Sequence, residues 1–251
     1  MDKVIASAAE AVRDIPDGAS VAVGGFGLCG VPFALLDALY EAGTGGLSVV
    51  SNNCGAAGRG LARLLGAGRI VRATGSYAGT NEELVRRYLG GELELELIPQ
   101  GTLAERLRAG GSGIPAFYTP AGVGTQVADG GLPRRYAGDG TVAVASPPKE
   151  VREFGGRAHI LEEGLTTDVA LVRAIRGDRH GTLVFARSAR NFNPLCAMAG
   201  RITVAEVEEL VEPGELDPDA VHLPGVFVQR VVALTPEQAA DKPVENRVVR
   251  G

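Results

Sequence analysis

Gly25, Gly27 and Gly30 fall in the stretch VAVGGFGLCGVP (residues 21–32) with G-x-G-x-x-G spacing. Adjacent glycines let a backbone approach a ligand closely, and a helix opening just after them offers unpaired N–H groups to negative charge. Two chemistries fit: cradling a phosphate, or donating to a carbonyl oxygen as it becomes an oxyanion. The plain alternative is a tight strand-to-helix turn. A dinucleotide loop also needs an acidic residue about 20 positions on, at the end of the second strand. Here that strand ends in Ser51, Asn52 and Asn53, with no acid. A helix also precedes the loop, where the fingerprint normally opens its domain. The spacing alone is a weak signal, so a nicotinamide- or flavin-dependent oxidoreductase is the lesser reading.

The other reactive residue types form no obvious constellation. Cys29, Cys54 and Cys196 are odd in number and lack C-x-x-C or Cys/His ligand spacing, which points to no metal and a reduced compartment. Cys29 lies in the glycine loop, where a helix N-terminus would lower its thiol pKa. With no histidine near it in sequence, packing is expected for it, and for Cys54. His159, His180 and His222 are scattered and read as surface or structural. Glu94 and Glu96 read as the wet face of a strand, Glu82 and Glu83 as residues of a helix start, and Glu162, Glu163 and Glu245 as solvated surface.

The elements that must position the loop follow from punctuation and periodicity. Val4, Ile5, Ala8, Ala11 and Val12 space an amphipathic first helix. SVAVGGF is a strand, and the next helix opens at Pro32 and closes at Gly43. LSVVSNN and RIVRATGSY are further strands, each followed by a helix, the second with Thr80 and Glu83 at capping-box spacing. LELELIP alternates, with Leu93, Leu95 and Leu97 on the packed side. After about residue 115 the texture changes to turns and short antiparallel strands around Pro147 and Pro148, and then returns to long apolar segments. Strands alternating with helices predict an α/β fold: an open mixed or parallel sheet flanked by helices, with a small β-rich insertion in the second half. No Gly/Ser or charged linker divides the chain, so a single domain over 1–251 is expected, with about 115–160 as the place for an inserted subdomain. The 251 residues carry a net charge of −5 and no basic cluster, against nucleic acid as a partner. No apolar run reaches membrane-span length, and the charged N-terminus is no signal peptide. A cytoplasmic protein is expected.

DGASVAVGGFGLCGVP (residues 17–32) resembles the signature of the family I coenzyme A transferases: Asp17, Gly18, Val21, Ala22, Val23, Gly24, Gly25, Phe26, Gly30 and Pro32 fill it completely. The resemblance continues through SNNCG (51–55), SYAGTNEE (76–83), the long run 91–125, ARNFNP (189–194) and 203–226, and so covers nearly the whole chain. It is to the A (alpha) subunits that serve 3-oxoacids. That resemblance implies transfer of coenzyme A from succinyl-CoA to a 3-oxoacid such as acetoacetate, with 3-oxoadipate or a short-chain fatty acid as alternatives. Ribose-5-phosphate isomerases and glucosamine-6-phosphate deaminases resemble the same fold, but the complete Gly-Gly-Phe signature and Gln100 speak against a sugar-phosphate protein.

The resemblance also implies the site. The nucleophile of the family is a glutamate on the other subunit. No glutamate of this chain has its setting: Glu245-Asn246 is followed by Arg247 rather than glycine. This chain is expected to supply oxyanion and substrate positioning through Gln100, Asn52 and Asn53, neutral amides that donate without forming an ion pair or protonating a nucleophile. Gly24, Gly25, Phe26, Gly27 and Gly30 are the expected substrate-binding loop. Asn52 or Asn53 as a helix cap, and Gln100 as a turn residue, are the plain alternatives. Arg190 would meet a carboxylate, a CoA phosphate or an interface partner. No cofactor is expected beyond CoA as substrate. The partner is a B (beta) subunit in a heterotetramer, a heterodimer that pairs again.

Overall fold

The computed structural model describes residues 1–245 except Ala57 and Thr80. The first part runs α1 (Ala8–Val12), β1 (Ser20–Val23), α2 (Phe33–Ala42), β2 (Leu47–Val50), α3 (Leu61–Gly66), β3 (Ile70–Gly75), α4 (Glu82–Leu89), β4 (Glu94–Leu97) and α5 (Gln100–Gly111). Next come β5 (Ala116–Thr119), α6 (Gln126–Asp129), β6 (Pro133–Tyr136), β7 (Val142–Ala145), β8 (Val151–Phe154) and β9 (Arg157–Glu163). The chain then returns through β10 (Thr167–Asp178), β11 (Leu183–Val184), α7 (Asn193–Ala199), β12 (Gly200–Val211), β13 (Arg230–Ala233) and α8 (Pro236–Ala240).

The main sheet has the order β13-β12-β10-β1-β2-β3-β4, all parallel, with β11 antiparallel on β10. The middle segment forms two small antiparallel sheets, β5-β9-β8 and β6-β7. A parallel sheet needs both faces covered, and the strands alternate accordingly. Val21, Val23, Val169 and Leu171 face the core built with α1 to α4. Ala22, Ala170, Val172 and Ala174 face the core built with α5 and α7. The first strand builds outward to β2, β3 and β4, and the chain then crosses to β10 on the other side of β1. Strand order therefore reverses beside β1, and in open α/β sheets ligands bind outside the carboxyl ends of the strands at such a point. The glycine loop leaves β1 there. Among the described residues no helix is long and apolar enough to cross a membrane.

Several local expectations change. The first helix is short because Val4 pairs with Val231 as an isolated bridge, leaving Ser7 as the N-cap. Gly60, at φ 60°, delays α3 to Leu61. Thr80 lies outside the described residues, and the N-cap of α4 is Asn81, whose side chain accepts from the Leu84 N–H at 3.0 Å. Leu97 is 49% exposed rather than packed, since it ends the edge strand β4. Glu162 is buried, with ion pairs to Lys149 and Arg106, and Glu96 pairs with Arg106 and Arg134. The periodicity that made these carboxylates look solvated carries no information about cations arriving from distant segments.

Candidate active site

The glycine loop is a small hairpin. Phe26 and Cys29 exchange backbone hydrogen bonds, both 3.0 Å, across Gly27 and Leu28. Gly25, Gly27 and Gly30 have φ of 117°, 61° and 68°, a left-handed range that favours glycine. The Gly24 N–H donates to Leu171 at 3.0 Å, continuing the sheet. The N–H groups of Gly25, Gly27 and Leu28 have no partner among the described residues; Gly25 is buried and the other two are half-buried. Phe26 projects from it, 49% exposed.

What fixes the loop is Asn193, at the start of α7 and 0% exposed. Its Nδ2 donates to the Gly30 carbonyl at 2.9 Å and to the Ala189 carbonyl at 2.8 Å, while its Oδ1 accepts from the Arg173 N–H at 3.0 Å. Space is tight: a Cβ on Gly24 would lie 1.9 Å from Asn193 Oδ1, and one on Gly30 would lie 2.7 Å from the Ala189 oxygen. Asn191 adds a bond from Nδ2 to the Cys29 carbonyl at 3.1 Å. The ARNFNP stretch is thus the bracket that holds the glycine loop. Sequence reasoning noted the stretch without assigning it this work.

The N-terminus of α2, expected to face a ligand, is already occupied. Glu206 of β12, 0% exposed, accepts from the Leu35 N–H at 3.0 Å and from the Ala34 N–H. Its other oxygen has no hydrogen-bond partner and lies 3.7 Å from Nη1 of the buried Arg173. Burial raises the Glu206 carboxyl to about 8, against the pull of Arg173. A dinucleotide pyrophosphate would need those same N–H groups. The fingerprint spacing here therefore serves a loop whose own amides lack partners among the described residues, not a helix that receives phosphate.

The other expected site residues lie along the carboxyl edge of the same sheet. Asn52 lies two residues beyond β2, is 2% exposed, and donates from Nδ2 to Ser76 Oγ at 2.8 Å, tying the end of β2 to that of β3. Asn53 is half-buried. Its Oδ1 accepts from the Gly55 N–H at 3.2 Å, and its Nδ2 has no partner among the described residues. It shares a small cavity with Gly24, Gly25 and Gly27. Gln100 is the exposed first residue of α5, after Pro99 as N-cap. The strand that leads to it, β4, lies three strand spacings from β1, about 14 Å. The structure thus brings Asn53 to the loop, buries Asn52 beneath that edge, and holds Gln100 at the far side of a shared rim.

A cavity of about 820 Å3 opens beside the loop, lined by Phe26, Cys29, Ile175, Arg187, Asn191 and Glu245 among others. That size suits a small-molecule ligand. Arg187, at φ 45°, is the one non-glycine of the described residues in the left-handed region, and it borders this cavity. Arg190 is exposed and makes no ion pair among the described residues. The Cys29 thiol is raised, chiefly by burial and further by the Glu245 carboxylate, which corrects the expectation of a lowered pKa. Burial pushes Cys54 and Cys196 up to about 12. His222 accepts from the Phe185 N–H at 2.9 Å and stacks on that ring, a structural use. No group of three or more His, Cys, Asp or Glu among the described residues could hold a metal ion.

An open parallel sheet with a glycine loop, a neutral carboxamide and a ligand-sized cavity at its switch point has the architecture of the α/β proteins that bind small ligands outside the carboxyl ends of their strands. Residues 5–234 match the Coenzyme A transferase family, and the chain belongs to it. It is 64% identical over 250 residues, covering all of both chains, to a Mycobacterium tuberculosis protein named as the probable A subunit of a succinyl-CoA:3-ketoacid coenzyme A transferase. A human mitochondrial protein named succinyl-CoA:3-ketoacid coenzyme A transferase 2 is 52% identical over 92% of this chain, which spans only 44% of that protein. Among solved structures, an acyl-CoA transferase of Escherichia coli O157:H7, as a thioester complex with CoA, shares the fold with a TM-score of 0.76 at 23% identity. It covers 98% of this chain and 52% of its own.

Proposed function

We propose that this chain is the A-type half of a cytoplasmic transferase that moves coenzyme A from succinyl-CoA to a 3-oxoacid such as acetoacetate. The observation that carries the reading is the full-length 64% identity to a protein named for that donor and acceptor class. The glycine loop supports it as a group of amides suited to an acyl oxyanion. In this reaction a partner's glutamate carboxylate attacks the thioester carbonyl, and the tetrahedral oxyanion collapses to an acyl-glutamyl anhydride with release of CoA thiolate. The thiolate then attacks the glutamyl carbonyl and expels the donor acid, leaving a glutamyl-CoA thioester. The acceptor acid reverses both steps. Covalent catalysis of this kind splits one exchange into easier ones.

The residues of this chain position and stabilise. The free N–H groups of Gly25, Gly27 and Leu28 donate to the oxyanion, with the Asn53 amide beside them. Phe26 packs over the acyl chain, and Gln100 meets the carboxyl from the far rim. Asn52 holds Ser76 and, through it, the edge on which Asn53 sits. CoA is a substrate here, and the chemistry calls for no further cofactor. The longer relatives, of which this chain spans about half, support a B (beta) partner chain that supplies the missing part. A heterotetramer is the expected assembly. The segment of about 115–160, with its own small sheets, is an inserted subdomain within one domain.

The test is CoA transfer from succinyl-CoA to acetoacetate, with this chain alone and co-purified with the product of a neighbouring B-type gene. Activity is expected only in the complex. An inactive complex, with 3-oxoadipate and short fatty acids also tried, would refute the reading.

A further inference from the structure

Glu245 lies in a polar tail that looked like solvated surface, yet its carboxylate sits on the glycine loop. Oε1 accepts from the Gly30 N–H at 2.5 Å, and the group faces the Cys29 thiol. The segment that leads to it is anchored from Gln238 to Lys242. Arg173, buried, donates to the carbonyls of Gln238, Ala239 and Asp241 at 3.4, 3.0 and 3.1 Å, closing the end of α8. Asp241 pairs with Arg59, and Lys242 Nζ lies 2.5 Å from Glu208 Oε2. Val244 and Glu245 then line the 820 Å3 cavity opposite Phe26 and Arg187.

The loop is thus gripped from two sides. Asn193 holds the Gly30 carbonyl from beneath, and Glu245 holds the Gly30 N–H from the front. Both bonds act on one peptide pair, so together they set the direction of the loop's remaining amides. Free amides on glycines with positive φ have little of their own to hold them in one orientation. Donors aimed in advance at a developing charge are what an oxyanion site needs.

We propose that Asp241–Glu245 is a clamp, and that Glu245 is a positioning residue which aims the glycine-loop amides for acyl transfer. The part concerning the reaction rests on the transferase reading above. The clamp itself does not.

Two variants test it. Glu245→Ala removes the acceptor, and Glu245→Gln keeps an oxygen able to take the Gly30 N–H. Hydrogen exchange of the full chain, read by mass spectrometry on peptides covering residues 26–31, reports the clamp with no substrate present. Exchange is expected to speed up in Glu245→Ala and to remain near wild type in Glu245→Gln. In the assembled enzyme, kcat for transfer from succinyl-CoA to acetoacetate falls on the order of ten- to a hundredfold in Glu245→Ala. KM changes little, and the glutamine variant recovers most of the rate. Unchanged exchange in Glu245→Ala overturns the clamp, whatever the enzyme does. Faster exchange with an unchanged or higher kcat overturns the positioning role while leaving the transferase reading intact. A glutamine variant as inactive as the alanine one overturns it too, because the rate would then depend on the carboxylate's charge rather than on its hold of the Gly30 N–H. If the wild-type complex transfers CoA to no acid tried, the transferase reading fails, and exchange alone decides the clamp.

Discussion

Replacing Asn193 by alanine should unlatch the glycine loop and destabilise the whole domain. The side chain is 0% exposed and carries bonds to the Gly30 carbonyl, the Ala189 carbonyl and the Arg173 N–H. Alanine leaves two of these backbone groups, on Gly30 and Arg173, buried without a partner. At about 1–3 kcal/mol for each orphaned group, the loss centres on about 4 kcal/mol. For a chain of this size that lowers Tm by about 8–16 °C. Asn193→Asp is a sharper probe: nearly the same shape, but with an oxygen facing the two carbonyls, so it should be no more stable than alanine. Urea unfolding and thermal melts of the three proteins measure the effect, and hydrogen exchange over residues 24–31 localises it. An Asn193→Ala protein that melts within about 2 °C of wild type, with unaltered exchange in the loop, would refute the account of how the loop is held.

Further outcomes follow from the same geometry. Asn52→Ala should lower Tm through the lost bond to Ser76, whereas Asn53→Ala should leave Tm near wild type and lower kcat in the assembled enzyme; the reverse pattern in paired melts and rate assays would exchange their roles. Burial raises the Glu206 carboxyl to about 8, above the ordinary 4.5, so the folded state holds a proton that the unfolded state releases first. Its contribution is fully present below about pH 4.5 and is lost as the pH rises to about 8. Glu206→Gln should therefore gain stability relative to wild type between pH 5 and pH 8 in urea titrations, and a falling difference would contradict the burial argument. The native chain should resist iodoacetamide at pH 8, since Cys54 and Cys196 sit at about 12 and Cys29 is raised, while all three should react in denaturant. Rapid native labelling of Cys54 or Cys196, read by peptide mass, would contradict their burial.

What could be read from sequence was local. Val21 to Pro32 showed a strand, a close-approach loop and a helix start, and the structure has all three in that order. Pro32 and Gly43 bracket α2 as the punctuation suggested. The short apolar, β-branched run SVAV is a strand buried on two faces, and the long apolar segment TDVALVRAIRGD, which its sequence left open between strand and helix, is another. What sequence could not display was which distant residue would meet which. Glu206 lies 171 positions from the N–H of Leu35 that it caps, and Asn193 lies 163 from the Gly30 carbonyl that it holds. Glu162 looked solvated because Lys149 and Arg106 arrive on other elements. Each of these polar side chains is buried only because the fold supplies its partner, so neither composition nor periodicity marks it. The separation of Asn52 from Asn53 is similar: adjacent residues at a strand end point to opposite sides, and only the packing of Ser76 says which side is closed.

The central claim is that this chain aims and stabilises while its partner carries the nucleophile. Mixing the assembled enzyme with succinyl-CoA, without an acceptor acid, and weighing each polypeptide intact by mass spectrometry tests it most directly. The account predicts a covalent CoA adduct on the partner chain and none on this one. An adduct on this chain, at Glu245 or any other carboxylate, would contradict it.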